Sequence, residues 1–302
     1  MGDWPVGLST GCFYQTSIFE CLRSIRESGF DMLEICSFPA HLDYHNRDAV
    51  SRAAASIREL GLEAYSFHAP FAEHIDITAF HAETRHRAVH EILIAAEAAA
   101  ELETRYFVIH PGPEESLRPP VEEHMKRLEF AAEGLNAVAG RCAELGISLV
   151  LENMLPHLLF GCTSDMLWLM GRLESEDVGA CLDTGHAFLS GDLPDALRKL
   201  SGHLRMVHVN DNRQTYDDHL APGQGKIDWR LLLNQLSSQH FSGGLILELH
   251  GNSGRESVLQ QARDGRRFLR SLMRRLERPA KQRGPFEEVP VEVRLDRVPR
   301  EE

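Results

Sequence analysis

Five short apolar runs in this 302-residue chain end on side chains able to bind a cation or move a proton. They are Tyr106–His110, Ser148–Glu152, Val178–Asp183, Arg205–His208 and Gly244–Glu248, and the third carries His186 three residues beyond Asp183. A continuously apolar run of this length reads as a parallel strand buried on both faces. A polar residue at its carboxyl end lies where α/β folds place their sites. Glu152, Asp183, His208 and Glu248 form the strongest set. One imidazole and three carboxylates suit Mn²⁺ first, with Mg²⁺, Co²⁺ or Zn²⁺ also compatible. One such residue alone reads equally well as a solvated loop side chain. Four strands ending alike argue otherwise, because charged side chains are rarely left at buried strand ends.

A second set surrounds the first: His68, His110, His186, Asp217 and His219. These are further metal ligands or substrate contacts. His68 precedes Ala-Pro and His110 precedes Pro-Gly, so stiff backbone places both rings and favours their use on substrate. Spacing separates His186 from the main metal set. Asp183 ends its strand, and His186 is expected beyond Thr184-Gly185 in a turn, where glycine lets the imidazole cross the cleft toward substrate. Lys226 and Arg213 are candidates for an anionic substrate group. Phe13, Phe38, Phe71 and Trp229 belong to or flank the same loops, some shaping a pocket and at least two packing.

These residues need a frame that brings strand ends to one centre. Strands are expected near Val6–Ser9, Asp31–Ile35, Glu63–His68, Arg105–His110, Ile147–Glu152, Val178–Asp183, Arg205–Asn210 and Gly244–Leu249. Helical spacing fills the gaps: Thr16–Ser28, Asp48–Leu60, Thr78–Glu103, Pro120–Leu145, a short helix capped by Thr163 or Ser164, one from Pro194, Asp228–Ser238 and Ser257–Leu276. Eight alternations without a compositional break predict one (β/α)8 TIM barrel over residues 1–277. From Arg278 the chain is rich in Pro, Arg and Glu, and 278–302 is expected to be a tail.

Composition narrows the function. With 43% hydrophobic and 25% charged residues the chain reads as globular, and a net charge of -13 argues against nucleic acid as a partner. Six cysteines without a CxxC pair exclude a zinc ribbon and a dithiol motif, and imply a reduced, cytoplasmic setting. Neither a membrane-spanning run nor a signal sequence is evident. A homo-oligomer is compatible with all of this.

The motifs together resemble one superfamily. His68-Ala-Pro-Phe71, His110-Pro-Gly112, Leu151-Glu-Asn153, Asp183-Thr-Gly-His186, His208-Val-Asn-Asp211 and Asp218-His-Leu-Ala-Pro-Gly-Gln-Gly-Lys-Ile-Asp-Trp229 follow the pattern of the sugar phosphate isomerase/epimerase superfamily. Xylose isomerase, ketose 3-epimerases and endonuclease IV share that barrel. For residues 5–276 the resemblance implies a metal-dependent isomerase or epimerase acting on a small sugar or sugar-derived substrate. Glu152, Asp183, His208 and Glu248 would hold one metal. Glu152 and Glu248 would exchange a proton beside a carbonyl through an enediolate, and His186 would bind a substrate oxygen. Lyase or dehydratase chemistry begins the same way. Nine residues also match the three-zinc site of endonuclease IV: His68, His110, Glu152, Asp183, His186, His208, Asp217, His219 and Glu248. That keeps a phosphodiester hydrolase as the alternative, although Ser9-Thr-Gly-Cys-Phe13 lacks the nuclease's His and Gly-Gly pattern.

Overall fold

The computed structural model describes residues 4–113, 119–251 and 254–276. Its eight strands are β1 (Val6–Ser9), β2 (Met32–Cys36), β3 (Glu63–His68), β4 (Tyr106–Ile109), β5 (Ser148–Glu152), β6 (Val178–Asp183), β7 (Leu204–Val209) and β8 (Gly244–Leu247). They pair in parallel in sequence order, and β8 closes on β1. The expected (β/α)8 barrel is the fold. The expected tail, 278–302, lies outside the described residues.

The helices are α1 (Ile18–Glu27), α2 (Arg47–Glu59), α3 (Ala82–Glu101), α4 (Val121–Leu145), α5 (Thr163–Met170), α6 (Thr184–Leu189), α7 (Leu193–Lys199), α8 (Trp229–Ser238) and α9 (Arg255–Leu276). Local chemistry sets their ends. Asn46 and Asp228 accept from Ala49 N and Leu231 N at the starts of α2 and α8. Gly146 stops α4 in the left-handed region at φ 75°. Among the starts that differ from expectation, two are informative. Helix α3 begins at Ala82 rather than Thr78, because the Asp76 side chain takes Thr78 N and Oγ1 and holds a turn there. Helix α5 takes Cys162 as its flanking residue, with no side-chain cap, instead of Thr163 or Ser164. Among the described residues no helix is long and apolar enough to cross a membrane.

Strand alternation divides the barrel interior into two layers. Met32, Tyr65, Val108, Val150, Cys181, Met206 and Ile246 form a small buried cluster separate from the larger core between strands and helices. Two residues beyond all of these but Tyr65, which the shifted register between β2 and β3 skips, stand Glu34, His110, Glu152, Asp183, His208 and Glu248. Because successive side chains on a strand change faces, positions two apart share the same interior. The apolar layer is therefore the floor on which the polar one rests.

Candidate metal centre and pocket

Of the upper layer, Glu152, Asp183, His208 and Glu248 offer ligand atoms that all lie within 4.8 Å of one another. Asp183 and His208 are register partners on β6 and β7, and Glu248 N bonds Val209 O. His208 Nδ1 stands 3.1 Å from Glu152 Oε1 and 3.4 Å from Glu248 Oε2 and makes no hydrogen bond. A buried nitrogen facing carboxylate oxygens is what a divalent cation would satisfy, so the donor set fits such an ion.

The other imidazole nitrogen explains the orientation. His208 Nε2 donates to Glu34 Oε2 at 2.9 Å, which turns Nδ1 toward the carboxylates. Glu34 is fully buried, and it accepts from Ser9 Oγ and Ser66 Oγ as well. Sequence reasoning missed it. The available signal was a glutamate between Leu33 and Ile35 inside an apolar strand, a position that demands a partner.

The same device recurs around the cleft. His68 Nδ1 donates to Ala69 O, His186 Nδ1 to Asn153 O and His219 Nδ1 to Glu248 O. Each then presents Nε2 to a carboxylate: His68 to Glu152 at 3.2 Å, His186 to Asp217 at 3.4 Å and His219 to Asp217 at 3.0 Å. His110 Nε2 lies 3.3 Å from Glu152 Oε2. His68, Glu152 and His208 form a second group with cation-binding geometry, and His186, Asp217 and His219 a third. All nine expected metal-capable residues thus meet at one mouth of the barrel.

His186 occupies the first turn of α6, not an irregular turn. Asp183 caps that helix by accepting from His186 N at 2.7 Å. Gly185 is needed for a different reason from backbone freedom. A Cβ there would stand 2.0 Å from Asn210 Oδ1, and Asn210 Nδ2 bonds Asp183 Oδ2 at 2.6 Å. The glycine lets β7 close against the Asp183 turn.

Charge sorts the carboxylates. Burial alone would raise Glu152, yet His208 and His110 hold it well below the usual carboxylate range. Burial, with Glu152 and Glu34 nearby, lifts Glu248 to about 7. Burial opposes charge on His186, but Asp183 and Asp217 raise it well above the ordinary imidazole value. Burial likewise opposes charge on His219, and Asp217 lifts it to about 9. In the metal-free protein the two neighbouring carboxyls are thus pushed in opposite directions.

Above the centre lies a cavity of about 540 Å³. Glu152 and Glu248 line it, whereas Asp183 and His208 do not. His68, His110, His186, Asp217 and His219 line it too. Lys226 is exposed and outside the lining, as is Arg213. Phe38 and Phe71 shape the wall, while Phe13 packs in the core and Trp229 Nε1 donates to buried Asp211. Cys12 and Cys36 also face the cavity, but burial pushes both thiols up to about 12. Neither supplies a thiolate near neutral pH.

Known proteins resemble the chain in sequence and in fold. An uncharacterized protein of Methanocaldococcus jannaschii is 26% identical over 253 residues, covering 82% of this chain and 84% of its own. Fructoselysine 3-epimerase of Escherichia coli O157:H7 is 22% identical, covering 80% of this chain and 89% of its own. A solved D-tagatose 3-epimerase-like protein superposes with a TM-score of 0.78 at 23% identity, covering 89% of this chain and 97% of that one. The family model described as xylose isomerase-like TIM barrel matches residues 22–272. With strands, motifs and matched span in agreement, the chain belongs to the xylose isomerase-like TIM barrel family.

Proposed function

We propose that the protein is a divalent-metal-dependent isomerase or epimerase acting on a sugar or sugar-derived ketone by proton transfer beside the carbonyl. One observation carries this reading: of the four clustered donors, only Glu152 and Glu248 face the cavity. Asp183 and His208 are sealed behind them. A cation held by these four residues, Mn²⁺ foremost, supplies Lewis-acid stabilisation of the negative charge that develops on the carbonyl oxygen.

The side chains do the rest. Glu152 stays ionised and is the residue ready to take a proton from carbon. Glu248, which borders the substrate space with Glu152, is placed to return a proton. A proton removed on one face and returned on the other inverts the carbon; returned to the neighbouring carbon, it isomerises the sugar. His186, fixed through Asn153 O, lines the cavity with Nε2 beside Asp217 and is placed to reach a substrate oxygen. His68 and His110 hold Glu152 in place and border the same space.

The test is isotope exchange. In heavy water, a keto-sugar substrate should gain deuterium at a carbon adjoining the carbonyl, and Glu152→Gln and Glu248→Gln should each abolish the exchange. Exchange that persists in both variants overturns the reading. Loss of water from the labelled product would identify a lyase or dehydratase on the same first step. The His186, Asp217 and His219 group favours one second reading, a multi-zinc phosphodiester hydrolase. Nicking of a duplex with an abasic site, sensitive to His219→Ala, would establish that instead.

A further inference from the structure

The cavity wall carries information about the substrate beyond its reacting carbons. Among the described lining residues there is no lysine or arginine. Glu152, Asp183 and Glu248 outnumber the charge of one divalent cation, with Glu34 behind them and Asp217 across the cleft. Positive charge on the described lining is histidine's and is already paired, His186 and His219 with Asp217 and His68 with Glu152, so a phosphate dianion entering here finds no guanidinium or ammonium group and faces Glu152, Glu248 and Asp217. The outer wall has the opposite character. Tyr14, Phe38 and Phe71 follow one another edge to face, with ring centres 5.1 and 6.4 Å apart. Leu155 and Leu249 border the same space. Phe38 is 40% exposed although it belongs to this apolar stripe. At about 540 Å³ the cavity falls within the range that encloses drug-sized ligands, with room beyond one sugar ring.

We infer that the substrate is an uncharged keto-sugar glycoside whose aglycone is itself a ring or an apolar group. The keto ring sits at Glu152 and Glu248, and the aglycone lies on the Tyr14, Phe38 and Phe71 stripe. Aromatic faces reward apolar ring surface, while the histidines of the inner wall serve the hydroxyls. The inference rests on the carbonyl-directed reading above for the placement of the reacting ring.

Calorimetric binding to manganese-loaded protein tests it with unreactive probes: phenyl β-D-glucopyranoside, methyl β-D-glucopyranoside and glucose 6-phosphate. The phenyl glycoside should bind about tenfold more tightly than the methyl glycoside, the scale of one well-made ring contact. The phosphate should bind most weakly. Phe38→Ala should bring the phenyl-to-methyl ratio toward one, and the exposure of that side chain keeps the variant folded. Tightest binding of the phosphate, equal binding of the two glycosides, or no binding of any probe overturns the inference. Deuterium exchange without a phenyl preference defeats the glycoside assignment alone. A phenyl preference without exchange defeats the proton-transfer reading alone.

Discussion

His208 joins two carboxylates through opposite edges of one ring: Nε2 donates to Glu34 across 2.9 Å, and Nδ1 stands 3.1 Å from Glu152. Glu34 therefore fixes both the tautomer and the aim of the ring. Glu34→Gln, which keeps the shape and removes the charge, should weaken metal binding by about 10- to 100-fold. Competition against a fluorescent chelator measures this, and an unchanged affinity would reduce Glu34 to a packing role.

Glu152→Gln or His208→Ala should strip most bound metal, since each removes one of four clustered donors. Elemental analysis of the purified variants gives the answer. Full metal content in both would move the metal elsewhere. Metal retained only in Glu152→Gln, with activity lost, would make that residue chiefly an acid/base group.

His186→Asn should keep the metal and lower kcat/KM by about 10²-fold, the scale of a hydrogen bond made mainly in the transition state. His186 belongs to the group with Asp217 and His219 and not to the four-donor set. Metal lost in step with activity would make it a ligand and favour the multi-zinc reading.

Metal affinity should climb with pH. In the metal-free protein Glu248 is lifted to about 7 from its ordinary 4.5, and His208 sits well above its ordinary value despite burial, because Glu152, Glu248 and Glu34 surround it. Both must shed protons before they bind a cation, so protons compete below neutrality and less above it. Titration calorimetry in buffers of different ionisation enthalpy should detect proton release on Mn²⁺ binding at pH 6 that diminishes as the pH rises.

Asp211→Ala should cost stability through the loop that it ties. Its carboxylate accepts from Asn212 N, Gly223 N, Ile227 N and Trp229 Nε1. Each buried donor left unpaired costs about 1–3 kcal/mol, and the loop so tied carries Asp217 and His219. A loss of about 3 kcal/mol or more in urea unfolding is expected, and a change below about 1 kcal/mol would mean that water replaces the carboxylate.

The strand ends were legible because a buried parallel strand is apolar until it reaches the mouth, so Glu152, Asp183 and His208 stand out where that run stops. His68 and His110 were legible for the same reason, helped by the prolines behind them. Glu34 was not. It lies within β2, and its burial becomes reasonable only when Ser9, Ser66 and His208 arrive from three other strands. Helix α6 has six residues, too few for a 3.6-residue period to show. Lys226 stood in a motif that pointed to the site, but its backbone serves the loop through Asn212 O, and the side chain lies outside the cavity lining.

The apolar floor also governs traffic. Val108, Val150, Cys181, Met206 and Ile246 are fully buried directly beneath the polar layer, so among the described residues the pocket is closed at its base. Substrate and product then share the mouth, whose wall includes Tyr14 and Phe38. The rim that captures a reactant then also holds back the product, and a tighter grip there would lengthen each turnover instead of speeding it.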